Sequence, residues 1–162
     1  MTVIGIDPGY AIVGYGILGY EGNKFTTITY GAITTNAGVD FCLRLKKIYD
    51  ELTEILIKYK PDALSIEKLF FTTNAKTAID VAQARGVIIL AAKNLSIPVY
   101  EYTPLQVKQA VVGYGKAVKS QVMEMTRVLL NLKSVPKPDD TADALAIAIC
   151  HSHTNYSLLK RF

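Results

Sequence analysis

The sequence predicts an α/β domain in which a mixed five-stranded sheet carries helices on both of its faces. Two short apolar segments, Thr2–Asp7 and Ala63–Glu67, have the composition of strands that are buried on both faces. Three strand patterns come first in the chain, and helical patterns then separate the later strands. This order predicts hairpins followed by helical crossovers, which together give a mixed sheet. We expect one domain over residues 1–162, because a chain of that length can bury its own core.

The first three strands are expected at residues 2–7, 11–20 and 25–34. Pro8 and Gly9 end the first strand, because proline removes a ladder donor and glycine permits a sharp turn. Within the second strand, Gly14 and Gly16 indicate bends or close approaches of another part of the chain. The third strand alternates and is rich in threonine, which favours extended structure.

Apolar residues at helical spacing predict a long helix over Phe41–Tyr59. The short strand over Ala63–Glu67 follows it and, like the first strand, ends in a carboxylate. Thr103 and Pro104 form a cap and first-turn pair that opens a short helix. The other elements are expected as a helix at 74–94, a strand at 98–100, a helix at 116–132 and a final helix from 139 to about 153.

Four acidic residues fall where the expected fold brings them together: Asp7, Glu67, Asp140 and Asp143. Asp7 and Glu67 end two strands that we expect to lie side by side, and ligand sites in open sheets gather at such ends. Two carboxylates a few ångström apart cannot both stay ionised cheaply, so one holds a proton or a cation bridges them. Asp140 and Asp143 are three residues apart, so they face the same side of the final helix.

The four acids are suited to the hard cations Mg²⁺ and Mn²⁺, whereas zinc sites use cysteine and histidine. A carboxylate site that holds two such ions activates water and stabilises the leaving oxygen in phosphodiester hydrolysis. Acids at the start of a helix have an alternative role, because they also stabilise it as caps or through its dipole. We interpret Asp139 as such a cap, while the joint pattern of the other four acids favours a metal site.

Aromatic and basic residues near these acids predict a nucleic-acid surface. The formal net charge of +4 permits an anionic partner. Phe70 and its neighbour Phe71 follow Glu67 in a loop, where an exposed ring is suited to stacking on opened bases. Three lysines, which are suited to phosphate contact, cluster around the glycines at 113 and 115: Lys108, Lys116 and Lys119. The alternatives are a buried aromatic pair and a solvated loop.

Five segments, in order, resemble the RuvC family of Holliday-junction resolvases: GIDPG at 5–9, IE at 66–67, QARG at 83–86, QVKQ at 106–109 and DTADALA at 140–146. The resemblance runs to about His151 and implies an RNase H-like fold. It also implies a homodimer and Mg²⁺-dependent nicking of two opposed strands at a four-way DNA junction. The catalytic and metal-binding acids it implies are Asp7, Glu67, Asp140 and Asp143, with either Asp140 or Asp143 as the principal third ligand.

The resemblance also implies contacts with DNA and with protein partners. Phe70, Lys108 and Lys119 match family positions that contact the junction, and Lys116 and Arg85 are further candidates. We expect two Mg²⁺ ions, for which Mn²⁺ can substitute. The homodimer is expected through the helix around 74–94, whose small residues allow close packing. A branch-migration complex of the RuvA/RuvB type is the implied partner.

Three other function classes are weighed against a junction-cutting nuclease. An RNase H-like nuclease that acts on RNA has a similar first strand and turn. A non-catalytic junction-binding protein is disfavoured, because converging acids would repel phosphates unless metal is present. A nucleotide-binding kinase or ATPase is disfavoured because this length leaves no second lobe. We expect no membrane span, no signal peptide and no disulfide between the two cysteines, and therefore a cytoplasmic protein.

Overall fold

The computed structural model describes residues 1–69 and 75–159, and in that part of the chain it contains five strands and five helices. The strands are β1 (Thr2–Asp7), β2 (Ile12–Glu21), β3 (Lys24–Thr34), β4 (Ala63–Glu67) and β5 (Val99–Tyr102). The helices are α1 (Phe41–Tyr59), α2 (Ala75–Asn94), α3 (Pro104–Val112), α4 (Lys119–Leu129) and α5 (Asp139–Leu159).

The five strands form one mixed sheet in the order β3-β2-β1-β4-β5. The hairpin strands β1, β2 and β3 are antiparallel, whereas β4 pairs parallel to β1 and β5 pairs parallel to β4. The predicted mixed five-stranded sheet is therefore confirmed. β1 lies at its centre, which explains why its sequence is apolar on both faces.

Each face of the sheet has its own hydrophobic core. Ile4 and Ile6 of β1 face one core, to which α1 and α2 contribute residues such as Leu52 and Ile88. Val3 of β1 faces the opposite core, which contains residues of α3, α4 and α5. Because successive strand residues point to opposite faces, one strand supplies both cores. The predicted placement of helices on both faces is confirmed.

Several predicted boundaries are wrong at one end. The helix expected at 116–132 begins only at Lys119, because Val118 is extended and its N–H donates to the side chain of Gln121 at 3.0 Å. It ends at Leu129, since Asn131 has a left-handed φ of 50°. The strand expected at 98–100 runs instead over Val99–Tyr102, and α5 continues to Leu159.

The described residues bear on the expectations about membrane spans and cysteines. No helix in the described ranges is long and apolar enough to cross a membrane. The two cysteines are free, as expected, and Cys150 is buried. Cys42 is exposed on the solvent side of α1, whose buried face is formed by other residues.

Helix α5 packs directly on β1 and β2 because three facing strand residues are glycines. A Cβ on Gly5 would overlap with the carbonyl oxygen of Ala144, and one on Gly14 would overlap with that of Asp140. A Cβ on Gly16 would lie 2.5 Å from a methyl carbon of Leu145. The close approach expected at Gly14 and Gly16 is confirmed, and the partner is α5. Any side chain at these positions would push the helix away from the sheet.

Replacement of Gly14 by alanine is expected to lower the free energy of unfolding by about 2–3 kcal/mol. The new Cβ would meet backbone atoms of Asp140, which cannot rotate away as a side chain can. Urea denaturation followed by circular dichroism measures the change.

Gly19→Ala is the matched control in the same strand, because its Cβ would meet no heavy atom closer than 3.7 Å. We expect it to change the free energy of unfolding by less than about 0.5 kcal/mol. Equal losses in the two variants would contradict a special role for the glycines beneath α5.

Candidate active site

Asp7 and Glu67 leave neighbouring parallel strands at the same edge of the sheet. The register of β1 and β4 ends with Ile6 opposite Ile66, so the next residue on each strand is an acid. Both isoleucines face the core on the α1 and α2 side. Strand alternation therefore turns Asp7 and Glu67 towards the opposite face, where α5 lies. The predicted adjacency of the two strand ends is confirmed.

Helix α5 brings the other acids to this edge of the sheet. The backbone of Asp140 packs on Gly14, and Gly14 is the register partner of Asp7. Asp143 is close to one turn further along the helix and lines a cleft together with Glu67. The same cleft is lined by Lys108 of α3 and Lys119 of α4. Three helices and the sheet thus meet at one acidic and basic cleft.

The four acids share one electrostatic environment. Burial is the largest cause that raises the pKa of Asp7 to about 8, and the charges of Asp143, Glu67 and Asp140 raise it further. Burial and the charge of Asp143 also raise the pKa of Glu67. Ionisation of Asp7 therefore costs free energy in the protein alone. With this raised pKa, the carboxyl group holds a proton at neutral pH. A cation placed here would be stabilised by the same carboxylates.

Lys119 supplies the positive charge inside this cluster. Its Nζ lies 2.9 Å from Oδ2 of Asp143 and 3.9 Å from Oδ2 of Asp139. The hydrogen bond to Asp143 raises the pKa of Lys119. The ammonium in turn offsets part of the rise in the pKa values of Asp7 and Glu67. Asp139, which the sequence predicts to be a cap, is the first residue of α5, and its carboxylate bonds Lys137 at 2.7 Å.

The carboxylates of the four acids have the chemistry that a hard divalent cation requires, but their oxygens do not converge on one point. Within residues 1–69 and 75–159, no group of three or more His, Cys, Asp or Glu side chains stands close enough to hold a metal ion. Asp143 is bound to Lys119, which takes up one of its oxygens. Carboxylate oxygens are nonetheless the ligands that Mg²⁺ and Mn²⁺ prefer. Coordination by Asp143 would use its other carboxylate oxygen or would displace Lys119 from Oδ2.

The other predicted site residues have different surroundings. Lys108 is half-buried in the cleft, and Lys116 is exposed in the connection between α3 and α4. The side chain of Arg85 is only 13% exposed and lies behind β4, where it pairs with Glu101. Phe70 lies outside the described residues. The sequence pattern gave no signal for the pairing of Arg85 with Glu101, because the two residues belong to separate elements.

Nearly the whole chain is similar to known proteins of one family. Residues 3–151 match the family described as crossover junction endodeoxyribonuclease RuvC. The protein of that description from Caldanaerobacter subterraneus is 58% identical over 158 residues, which cover 98% of this chain and 96% of the relative. Its counterpart from Alkaliphilus oremlandii is 60% identical over 154 residues, with coverage of 95% and 94%.

The solved structures include a similar fold with bound DNA. T. thermophilus RuvC in complex with a Holliday junction substrate has a TM-score of 0.89 and 34% sequence identity. The match covers 97% of this chain and 96% of that one. The relatives therefore resemble this chain in sequence, in length and in the arrangement of the sheet and helices.

Asp7→Asn is expected to flatten the pH dependence of stability in the presence of a chelator. The folded-state pKa of about 8 lies above the ordinary value of 3.8, so stability is lost as the pH rises from about 4 to about 8. The loss in the wild type between pH 5 and pH 8 should be on the order of 3 kcal/mol. Urea midpoints measured across this range test it.

The control is Asp50→Asn on the exposed side of α1, which should leave the shape of the profile unchanged. A profile for Asp7→Asn that is as steep as that of the wild type would show that Asp7 is not held protonated.

Proposed function

The chain belongs to the RuvC family of crossover junction endodeoxyribonucleases, and from this premise we propose which of its residues cut DNA and how. The protein is a structure-selective endonuclease that resolves Holliday junctions in recombination and repair. We propose that hydrolysis takes place at the acid cluster of Asp7, Glu67, Asp140 and Asp143. The observation that carries this proposal is that β1, β4 and α5 bring these acids to one edge of the sheet, where Glu67 and Asp143 line one cleft.

We propose that the four acids hold divalent cations, with two Mg²⁺ ions per site and Mn²⁺ as a substitute. Bound there, such ions would lower the pKa of a water molecule and stabilise the charge on the departing oxygen. Asp7 holds the central position, because the charges of Glu67, Asp140 and Asp143 all act on it and it is more deeply buried than Glu67. Glu67 and Asp143 line the open cleft, which places them on the side from which a phosphate would approach.

The lysines of the cleft are the proposed phosphate contacts. Lys108 lines the cleft beside Glu67 and Asp143, so its ammonium would neutralise a phosphate that reaches the acids. Lys119 lies in the same cleft, and Lys116 is exposed in the connection between α3 and α4. Phe70 is proposed from the sequence as the ring that stacks on an opened base. Arg85 is the weakest predicted DNA contact, because its side chain is mostly buried and already paired.

A twofold dimer through α2 is proposed from the apolar residues on its outer face. Ile79 and Leu90 are 59% and 53% exposed, and Gly86 lies between them with open space above it. A contact between two identical faces would present two active sites related by twofold symmetry, as symmetric nicking of opposed strands requires. A monomeric mass in sedimentation equilibrium at micromolar concentration would contradict the dimer.

Family membership also supports two proposals about the cellular setting. A branch-migration complex of the RuvA/RuvB type is the proposed partner, and a pull-down that recovers no such complex on junction DNA would contradict it. A cytoplasmic location is proposed because the substrate is DNA. Recovery of the protein in another cell fraction would contradict that location.

The function is tested with a synthetic four-way junction, a matched linear duplex and an RNA–DNA hybrid, each with Mg²⁺, Mn²⁺ or chelator. We expect paired, symmetric nicks in the junction alone and only with metal. Asp7→Asn should abolish nicking because it removes a ligand of the cation. It should keep junction binding in chelator, because the neutral amide takes the place of a protonated carboxyl. Cutting of the hybrid alone would support an RNA-directed nuclease, and tight binding without nicks would support a binding protein.

Lys108→Ala is expected to weaken junction binding and to lower the slope of log affinity against log salt by about 1, because one phosphate contact is lost. Fluorescence anisotropy with a labelled junction in chelator, repeated between low and moderate salt, measures both quantities. Lys46→Ala on the exposed side of α1 is the control. A slope that does not differ from the wild type would show that Lys108 contacts no phosphate.

A further inference from the structure

Arg85 of α2 joins two strands at the point where Glu67 leaves the sheet. Its Nε donates to the backbone carbonyl of Glu67 at 3.2 Å, and its Nη2 bonds the carboxylate of Glu101 on β5. Only 13% of the side chain is exposed. One guanidinium thus contacts the last residue of β4 and a neighbour on β5 at the same time.

The geometry places Arg85 on the face of the sheet opposite to the cleft. Ile66, the register partner of Glu101, faces the core on the α2 side. By alternation, the side chain of Glu67 points to the α5 side while its carbonyl is bound from behind. The adjacent N–H of Lys68 donates to Tyr102 at 2.8 Å, so the strand end has two separate anchors.

We propose that Arg85 is a positioning residue that fixes the end of β4 and thereby the place of the Glu67 carboxylate in the active site. This inference rests on the proposed catalytic role of Glu67. It assigns Arg85 to the acid cluster, through the backbone, and not to the DNA surface.

Arginine has the geometry that this task requires. Its planar fork presents several N–H groups in fixed directions, so it satisfies a carbonyl and a carboxylate together. Lysine would keep the charge but has a single ammonium on a flexible stem, which cannot hold both acceptors in the same relation. The counterion release that a phosphate contact contributes to binding depends, in contrast, mainly on the charge, which lysine keeps. The two roles therefore respond differently to Arg85→Lys.

The experiment compares Arg85→Lys, Arg85→Met and Glu101→Gln with the wild type. We expect both Arg85 variants to lower kcat for junction cleavage about tenfold, since a small displacement of a reacting group is costly. The metal concentration for half-saturation should rise several-fold, both in cleavage and in titration calorimetry with Mn²⁺ alone. Junction affinity in chelator and its salt slope should stay within about twofold. Glu101→Gln should change the metal requirement in the same direction by less.

The matched control is Arg127→Met on α4, because Arg127 also joins a carboxylate, that of Glu124, and a backbone carbonyl, that of Leu132. It should reduce thermal stability without any change in the metal requirement.

Three outcomes would overturn the proposal: full activity in Arg85→Lys, a weaker and less salt-dependent junction affinity in Arg85→Met, or lost stability with an unchanged metal requirement. Failure of the wild type to cut junctions would instead refute the proposed function.

Discussion

The acid cluster depends on the close packing of α5 against the glycines of β1 and β2. Asp140 and Asp143 belong to that helix, whereas Asp7 and Glu67 belong to the sheet. The separation of the two pairs is therefore set by how near the helix backbone can come to the strands. Gly14, opposite Asp7 in the register, allows contact with the helix at Asp140 itself. The absence of a side chain at this position is thus part of the site.

The same closeness makes the cluster unfavourable for the protein alone. Burial and three neighbouring acids hold Asp7 protonated, and nothing in the fold requires carboxylates at this edge of the sheet. Lys119 offsets part of the repulsion by binding Asp143, and it does so from an exposed position. Buried carboxylates that repel one another lower the stability of the protein, and such perturbed groups are typical of functional sites.

Local sequence patterns predicted the fold and the approach of the four acids to one edge of the sheet, because strand ends and helix faces follow from periodicity. The adjacency of Asp7 and Glu67 needed only the parallel pairing of β1 and β4. The pattern could not show that Lys119 binds Asp143, since this contact depends on the distance between α4 and α5. It also missed the extended backbone at Val118, where the side chain of Gln121 competes with an earlier helix start.

The two sides of helix α2 make different contacts, because the helix lies over β4 and β5. Its inner side carries Ala84 and Ile88 into the core and places Arg85 on the carbonyl of Glu67. Its outer side exposes Ile79 and Leu90. Contact of a second copy with the outer side would hold α2 against the sheet, and Arg85 would carry that restraint to the end of β4. Under the two proposals for this helix, assembly and the placement of Glu67 share one rigid element.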